Sequence, residues 1–189
     1  MPPKAKITKE DIITASVDIV RENGADGLNA RLIAKKLNCS TQPIFSNYSS
    51  MEELKYDVIK SADKLHTEYL ENAMKNSHGQ EYKASGIAYI KFAKEEKELF
   101  KLLFMRDRSK EKIKDERDEI SKIINIISED TGMSFDEAYN FHMQMWIYVH
   151  GIAVMFATSY LDWDWETISE MLTNIYFGLK ERYLNKEGN

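Results

Sequence analysis

Between Asn38 and Tyr48 the chain carries Ser40, Thr41, Gln42, Ser46 and Asn47, uncharged side chains that donate and accept hydrogen bonds. An idle exposed helix is surfaced with a mixture of Glu and Lys. A short segment of amides and hydroxyls suits base edges instead, because Gln can bond adenine bidentately and the Thr methyl can meet thymine. The surrounding charge is one-sided. No Asp or Glu occurs between Asp26 and Glu52, while Arg31, Lys35 and Lys36 do. Cations without neighbouring acids suit phosphate.

Those residues need elements to present them. Thr8 followed by Asp11 resembles a helix start with reciprocal capping. Ile12, Ala15, Ile19 and Val20 then form an apolar stripe at helical spacing, and Gly24 is a stop. Asn29 can cap a second helix that turns Ile33, Ala34 and Leu37 inward. After a break at Asn38 and Cys39, Ser40 can cap a third, very short helix, with Pro43 tolerated in its first turn. Helices of about eight and seven residues joined by a turn of three or four have the geometry of a helix-turn-helix, whose second helix enters the major groove. By spacing alone a plain helical-bundle corner remains open. The candidate DNA-contacting set is Arg31, Lys35, Lys36, Ser40, Thr41, Gln42, Pro43, Phe45, Ser46, Asn47 and Tyr48. For Tyr48 an anchoring role in the core is favoured over DNA contact, and Lys4, Lys6 and Lys9 can add a basic arm.

The rest of the chain reads as helix throughout, with no period-2 run and no internal repeat. Overlapping capping boxes, Ser49 with Glu52 and Ser50 with Glu53, open a fourth helix at about 50–77, ending near Ser77, His78 and Gly79. Five more helices are expected near 81–94, 97–107, 111–130, 134–160 and 164–185. Gly132 is a stop, and Ser134 with Glu137 is a further capping box. The expected architecture is all-α, with about nine helices. Residues 1–54 form a DNA-binding head of three helices, and 55–189 form a helical ligand-binding and dimerisation domain.

Composition frames this. The 189 residues are 43% hydrophobic and 30% charged, as in ordinary globular chains. The net charge of −5 is unevenly spread. Residues 1–60 hold nine Lys or Arg against eight Asp or Glu, and the remainder hold 17 against 23. Cys39 is the single cysteine, which excludes an intramolecular disulfide and fits a reducing cytoplasm. No apolar run is long enough for a membrane span, and no secretory signal is read at the start, so a cytoplasmic location is expected.

The second half is rich in aromatic and Met residues. Most must be core, but such residues also wall apolar pockets between bundle helices. A pocket for a small apolar or aromatic effector is expected, with Phe92, Phe104, Phe141, Met145, Trp146 and His150 as its candidate wall. The helix at 134–160 is apolar on two faces: Phe141, Met145, Tyr148, Ile152 and Phe156 on one, Ala138, Trp146, Val149 and Ala153 on the other. Either it is central to its own monomer, or it packs both on its own core and on a second subunit. The helix at 164–185 adds a stripe of Trp165, Ile168, Leu172, Ile175, Leu179 and Tyr183. Homodimerisation through these two helices is the sharper expectation.

From Thr8 to Leu54 the sequence resembles the tetracycline-repressor (TetR) family. The resemblance rests on Ile12 and Ala15; Gly24; Leu28; Ile33, Ala34 and Leu37; and a run through Cys39, Ser40, Ile44, Phe45, Tyr48, Ser50, Glu52, Glu53 and Leu54. Phe92-Ala93, Leu99-Phe100 with Leu102 and Phe104, and Trp146 with His150-Gly151 resemble segments of some members' ligand domains. The resemblance implies a homodimeric regulator of double-stranded DNA, reading a pseudo-palindromic operator and released by a small effector. The chain departs from the pattern twice. Phe45 stands where the family usually has tyrosine, and Met51 where it usually has lysine, so two phosphate contacts are lost. Free amides at the starts of the third and fourth helices are expected to compensate.

An enzyme is the rival from another class. Paired Glu-x-x-His segments, a Gly-rich phosphate loop and a nucleophile elbow are all missing from the sequence. His142 and His150 lie eight residues apart on one helix, roughly 12 Å, too far to share a metal. No metal, cofactor or enzymatic activity is expected. Repressor and activator use the same head, and sequence does not separate them.

Overall fold

The computed structural model describes residues 7–109 and 120–185. Among them are nine α-helices, a single 3-10 turn and no strand: α1 (Lys9–Asn23), the turn Ala25–Gly27, α2 (Ala30–Lys36), α3 (Gln42–Asn47), α4 (Met51–Lys75), α5 (Glu81–Glu95), α6 (Lys97–Phe104), α7 (Ser121–Thr131), α8 (Phe135–Ala157) and α9 (Trp165–Leu184). The expected helix at 111–130 is described only from Ser121 onward. Residues 111–119 of it, together with Lys4 and Lys6, lie outside the described residues.

The chain divides into two compact units. One holds residues 1–67 and 96–106, the other 68–95 and 107–189. The division falls inside α4, so the first unit extends beyond the sequence boundary at 54. The reason is local: Leu99, Phe100, Leu102 and Leu103 of α6 are buried there, and α6 packs on α1.

In the first unit, Thr8 and Asp11 make the reciprocal capping box, with Asp11 N–H donating to Thr8 Oγ1 at 3.1 Å and Thr8 N–H to Asp11 Oδ2 at 2.8 Å. The α1 stripe of Ile12, Ala15, Ile19 and Val20 is buried. Gly24 ends the helix at φ 72°, a conformation that costs a residue with a Cβ. Here a Cβ would also come within 3.0 Å of Glu98 Oε2. Along α4, Leu54, Val58, Ala62 and His66 form the buried stripe at i, i+4 spacing.

In the second unit α5 packs against α7, α8 and α9, and α8 receives α7 and α9. The core around Ile124, Ile127, Met133, Ala138, Phe141 and Met145 is flanked by Tyr82, Ile175, Tyr176, Leu179 and Tyr183. Ser134 and Glu137 form the expected capping box, and Gly132 is left-handed at φ 76°. Both expected apolar faces of α8 bury mainly in their own unit. Ala138, Val149 and Ala153 are buried alongside Phe141, Met145, Ile152 and Phe156, while Trp146 is exposed.

Two caps differ from the sequence expectation. The N-cap of α3 is Thr41, not Ser40, and it makes no side-chain capping bond. At the start of α4, Ser50 Oγ accepts from Glu53 N–H at 3.1 Å, and the Glu53 carboxylate reaches back one residue further, to Ser49 N–H at 2.7 Å. Glu53 thereby serves both serines, so the expected pairing of Ser49 with Glu52 does not form.

Candidate nucleic-acid interface and cavity

The turn between α2 and α3 sets the geometry of the head. Asn29 caps α2, its Oδ1 accepting from Arg31 N–H at 3.1 Å and Leu32 N–H at 3.0 Å. At the other end Asn38 adopts φ 52°. Its N–H donates to Lys35 O at 3.2 Å, and the next N–H, of Cys39, donates to Ala34 O at 2.9 Å. That pair of bonds is a Schellman closure, and asparagine tolerates the left-handed position it needs. The chain then turns through Leu37–Thr41, one residue more than the longest turn expected, into α3. Ile44 and Tyr48 hold α3 down as buried anchors.

The outward side chains fall into two classes. Gln42 is exposed with its amide uncommitted, and Phe45 is 52% exposed. Ser46 instead donates to Gln42 O at 2.9 Å, and Asn47 to Pro43 O at 2.8 Å. Thr41 and Pro43 are half-buried, while Ser40 is exposed. Arg31 and Lys35 are exposed on α2. Lys36 is held by α1, its Nζ 2.8 Å from Glu22 Oε1 and 3.6 Å from Asp18 Oδ2. Lys9 lies over the Tyr48 ring, 4.6 Å from its centroid, and 3.8 Å from Glu53 Oε1.

Tyr48 is 2% exposed, which places it in the core. Burial, with Asp57 and Glu53 nearby, pushes its phenol up to about 12. At the start of α4 the Ser49 and Glu53 amides are already taken, and Met51 is half-buried. The Ser49 N–H is held by the Glu53 carboxylate and the Glu53 N–H by the Ser50 hydroxyl. Arg21 of α1 forms a fork on Glu96, with Nε–Oε2 at 2.8 Å and Nη2–Oε1 at 2.9 Å.

The second unit contains a cavity of about 400 Å³. Tyr82, Lys83, Gly86 and Tyr89 line it from α5, Met145, Trp146 and Val149 from α8, and Leu172, Thr173, Tyr176 and Phe177 from α9. Of the six sequence candidates, Met145 and Trp146 line it. His150 stands behind them, stacked on Trp146 with ring centres 4.9 Å apart and planes at 19°. Phe92 and Phe141 are fully buried core residues. Phe104 belongs to the first unit, against His66 at 5.1 Å. The sequence reading missed Tyr82, Lys83, Thr173, Tyr176 and Phe177. Tyr82 and Tyr89, seven residues apart on α5, were the available signal for one wall.

Two tyrosine–histidine pairs tie α5 to α8. Tyr82 Oη lies 3.1 Å from His142 Nδ1, and Tyr89 Oη 2.9 Å from His150 Nδ1. Burial lowers His142 to about 4, lowers His150, and raises both phenols. Among the described residues no three His, Cys, Asp or Glu side chains converge to hold a metal, and no helix is long and apolar enough to cross a membrane.

No family model matches the chain, and no curated protein matches its sequence. Solved structures do match. A TetR-like transcriptional regulator from Rhodococcus sp. RHA1 superposes with a TM-score of 0.66 at 14% identity, covering 98% of this chain and 99% of that one. A protein of unknown function from the same organism gives 0.73 at 20% identity, covering 96% and 98%. The chain has the TetR-like fold. The match extends over both units.

Proposed function

We propose that the protein is a DNA-binding transcriptional regulator, a homodimeric repressor that a small molecule releases from a pseudo-palindromic operator. The observation that carries this reading is the head itself. A Schellman turn at Asn38 aims a short helix outward with an uncommitted Gln42 amide and an exposed Phe45, beside Arg31 and Lys35 in an acid-free stretch. Gln42 reads a base edge, and Phe45 offers an apolar face to a thymine methyl. Arg31 and Lys35 meet phosphate. The cavity of the second unit is the effector site, and its occupancy and DNA affinity are linked reciprocally.

Dimerisation is supported by the apolar side chains that α8 and α9 leave exposed, Ile147 at 63% and Phe177 at 61%. Selection of bound sequences from random DNA tests the reading. The expected product is a two-fold-related motif with half-sites one helical turn, about 34–36 Å, or a multiple of it apart. Recovery of unenriched DNA at moderate salt would overturn it.

A further inference from the structure

The cavity of the second unit has walls of two kinds. Aromatic character comes from Tyr82, Tyr89, Trp146, Tyr176 and Phe177. Charge comes from Lys83 and from Asp130, and the two differ in position. Asp130 is exposed to solvent, whereas Lys83 is half-buried. The Lys83 ammonium donates to Thr173 Oγ1 at 3.0 Å, and that hydroxyl donates onward to Ser169 O at 2.7 Å. Thr173 therefore fixes the ammonium without neutralising it, and no carboxylate of the described residues lies within ion-pair distance of it. His142 and His150, bonded to Tyr82 and Tyr89 of the wall, are both lowered by burial.

A partly desolvated ammonium without a counter-ion is an incomplete pair, and an anion entering the cavity completes it. A lysine is a single point charge. It balances one negative charge, and a dianion would carry an uncompensated charge among the rings. A volume of about 400 Å³ falls in the range of small-molecule sites. We propose that the cavity takes an amphipathic monocarboxylate, its carboxylate on Lys83 and its apolar or aromatic body against Tyr89, Trp146 and Phe177. This inference rests on the reading of the cavity as the effector site.

The test is calorimetric titration of the full chain near neutral pH with two matched sets. The first is 2-naphthaleneacetate, its primary amide and 2-(2-naphthyl)ethylamine. The second is decanoate, decanamide and decylamine. In at least one set the carboxylate should bind roughly ten- to a hundredfold tighter than its amide, the ratio a charge-assisted hydrogen bond supplies. Lys83→Met should collapse that ratio toward unity, weakening the carboxylate far more than the amide, and Lys83→Arg should restore part of it. Lys83→Gln serves the same purpose if Lys83→Met does not fold.

Amide or amine binding as tight as the carboxylate overturns the ligand class and leaves the effector cavity standing. A carboxylate preference that survives Lys83→Met also overturns it, since the anion then sits elsewhere. Tighter binding of 2-naphthyl phosphate than of 2-naphthaleneacetate overturns the single-charge assignment. Failure of every compound in both sets overturns the ligand class and the effector cavity together, and DNA selection judges the head independently.

Discussion

At the scale of single residues, the useful distinction is between side chains already engaged and side chains still open. Sequence alone placed Ser46 and Asn47 beside Gln42 as DNA-contact candidates, because residue type says nothing about local partners. Back-bonding to the α3 carbonyls engages the first two and leaves Gln42 open. Gln42→Ala should therefore weaken specific binding by about 1–3 kcal/mol and spare random DNA. Equal losses on both, in gel retardation, would remove Gln42 from the base-reading set. The basic residues divide the same way. Arg31→Ala and Lys35→Ala should each flatten the plot of log affinity against log salt by about one unit. Lys36→Ala should flatten it less, because Glu22 and Asp18 already share its charge.

Titration makes a second prediction at this scale. His142 is lowered to about 4 by burial, so the unfolded chain binds the proton more readily. Its effect on stability is nil above the ordinary imidazole range and grows as pH falls from about 6.5 toward about 4. At pH 5 the loss should be roughly 2 kcal/mol relative to neutral pH. Urea unfolding of the wild type and His142→Gln at both pH values measures it. The variant should lose less on acidification, by that amount, whatever its stability at neutral pH.

At the scale of elements, the sequence was legible wherever a local signal decides the outcome. Thr8 with Asp11, Asn29 with the α2 amides, Ser134 with Glu137 and Gly132 all do what their types and spacing indicate. Ser49 and Ser50 were harder, because two serines compete for acids three and four residues on. The choice of Glu53 depends on side-chain reach and not on spacing. The cavity was least legible, since its walls come from α5, α8 and α9, far apart in sequence, and helical periodicity does not distinguish a ring facing a cavity from one facing core.

Asn38 carries the element-scale prediction. Its left-handed φ of 52° closes α2 and aims α3. Asn38→Gly should preserve melting temperature and operator affinity, because glycine adopts that conformation freely. Asn38→Val should cost about 1–2 kcal/mol in thermal or urea unfolding, since a β-branched side chain is strained there. It should also weaken operator binding beyond that cost by tilting α3. Unchanged unfolding in Asn38→Val would show that the turn relaxes without strain.

At the scale of the whole molecule, the open question is what covers the exposed apolar side chains of α8 and α9. Both apolar faces of α8 bury most of their side chains in their own unit, with Trp146 exposed. What remains outside is narrower than the sequence suggested, with Ile147 and Phe177 the most exposed of it. A two-fold contact repeats each side chain twice, so a single substitution acts on both sides of the interface. Ile147→Glu would place two carboxylates in that contact. Light scattering at micromolar concentration should give a particle of twice 22.0 kDa for the wild type and 22.0 kDa for the variant. The DNA readout separates this from unfolding. Affinity for a single half-site should be unchanged in Ile147→Glu, because the head is untouched. Affinity for the full palindrome should fall toward the half-site value, because linking two heads is what makes the second contact intramolecular. A wild-type particle of 22.0 kDa, or a palindrome bound equally well by Ile147→Glu, would locate the avidity elsewhere than α8 and α9.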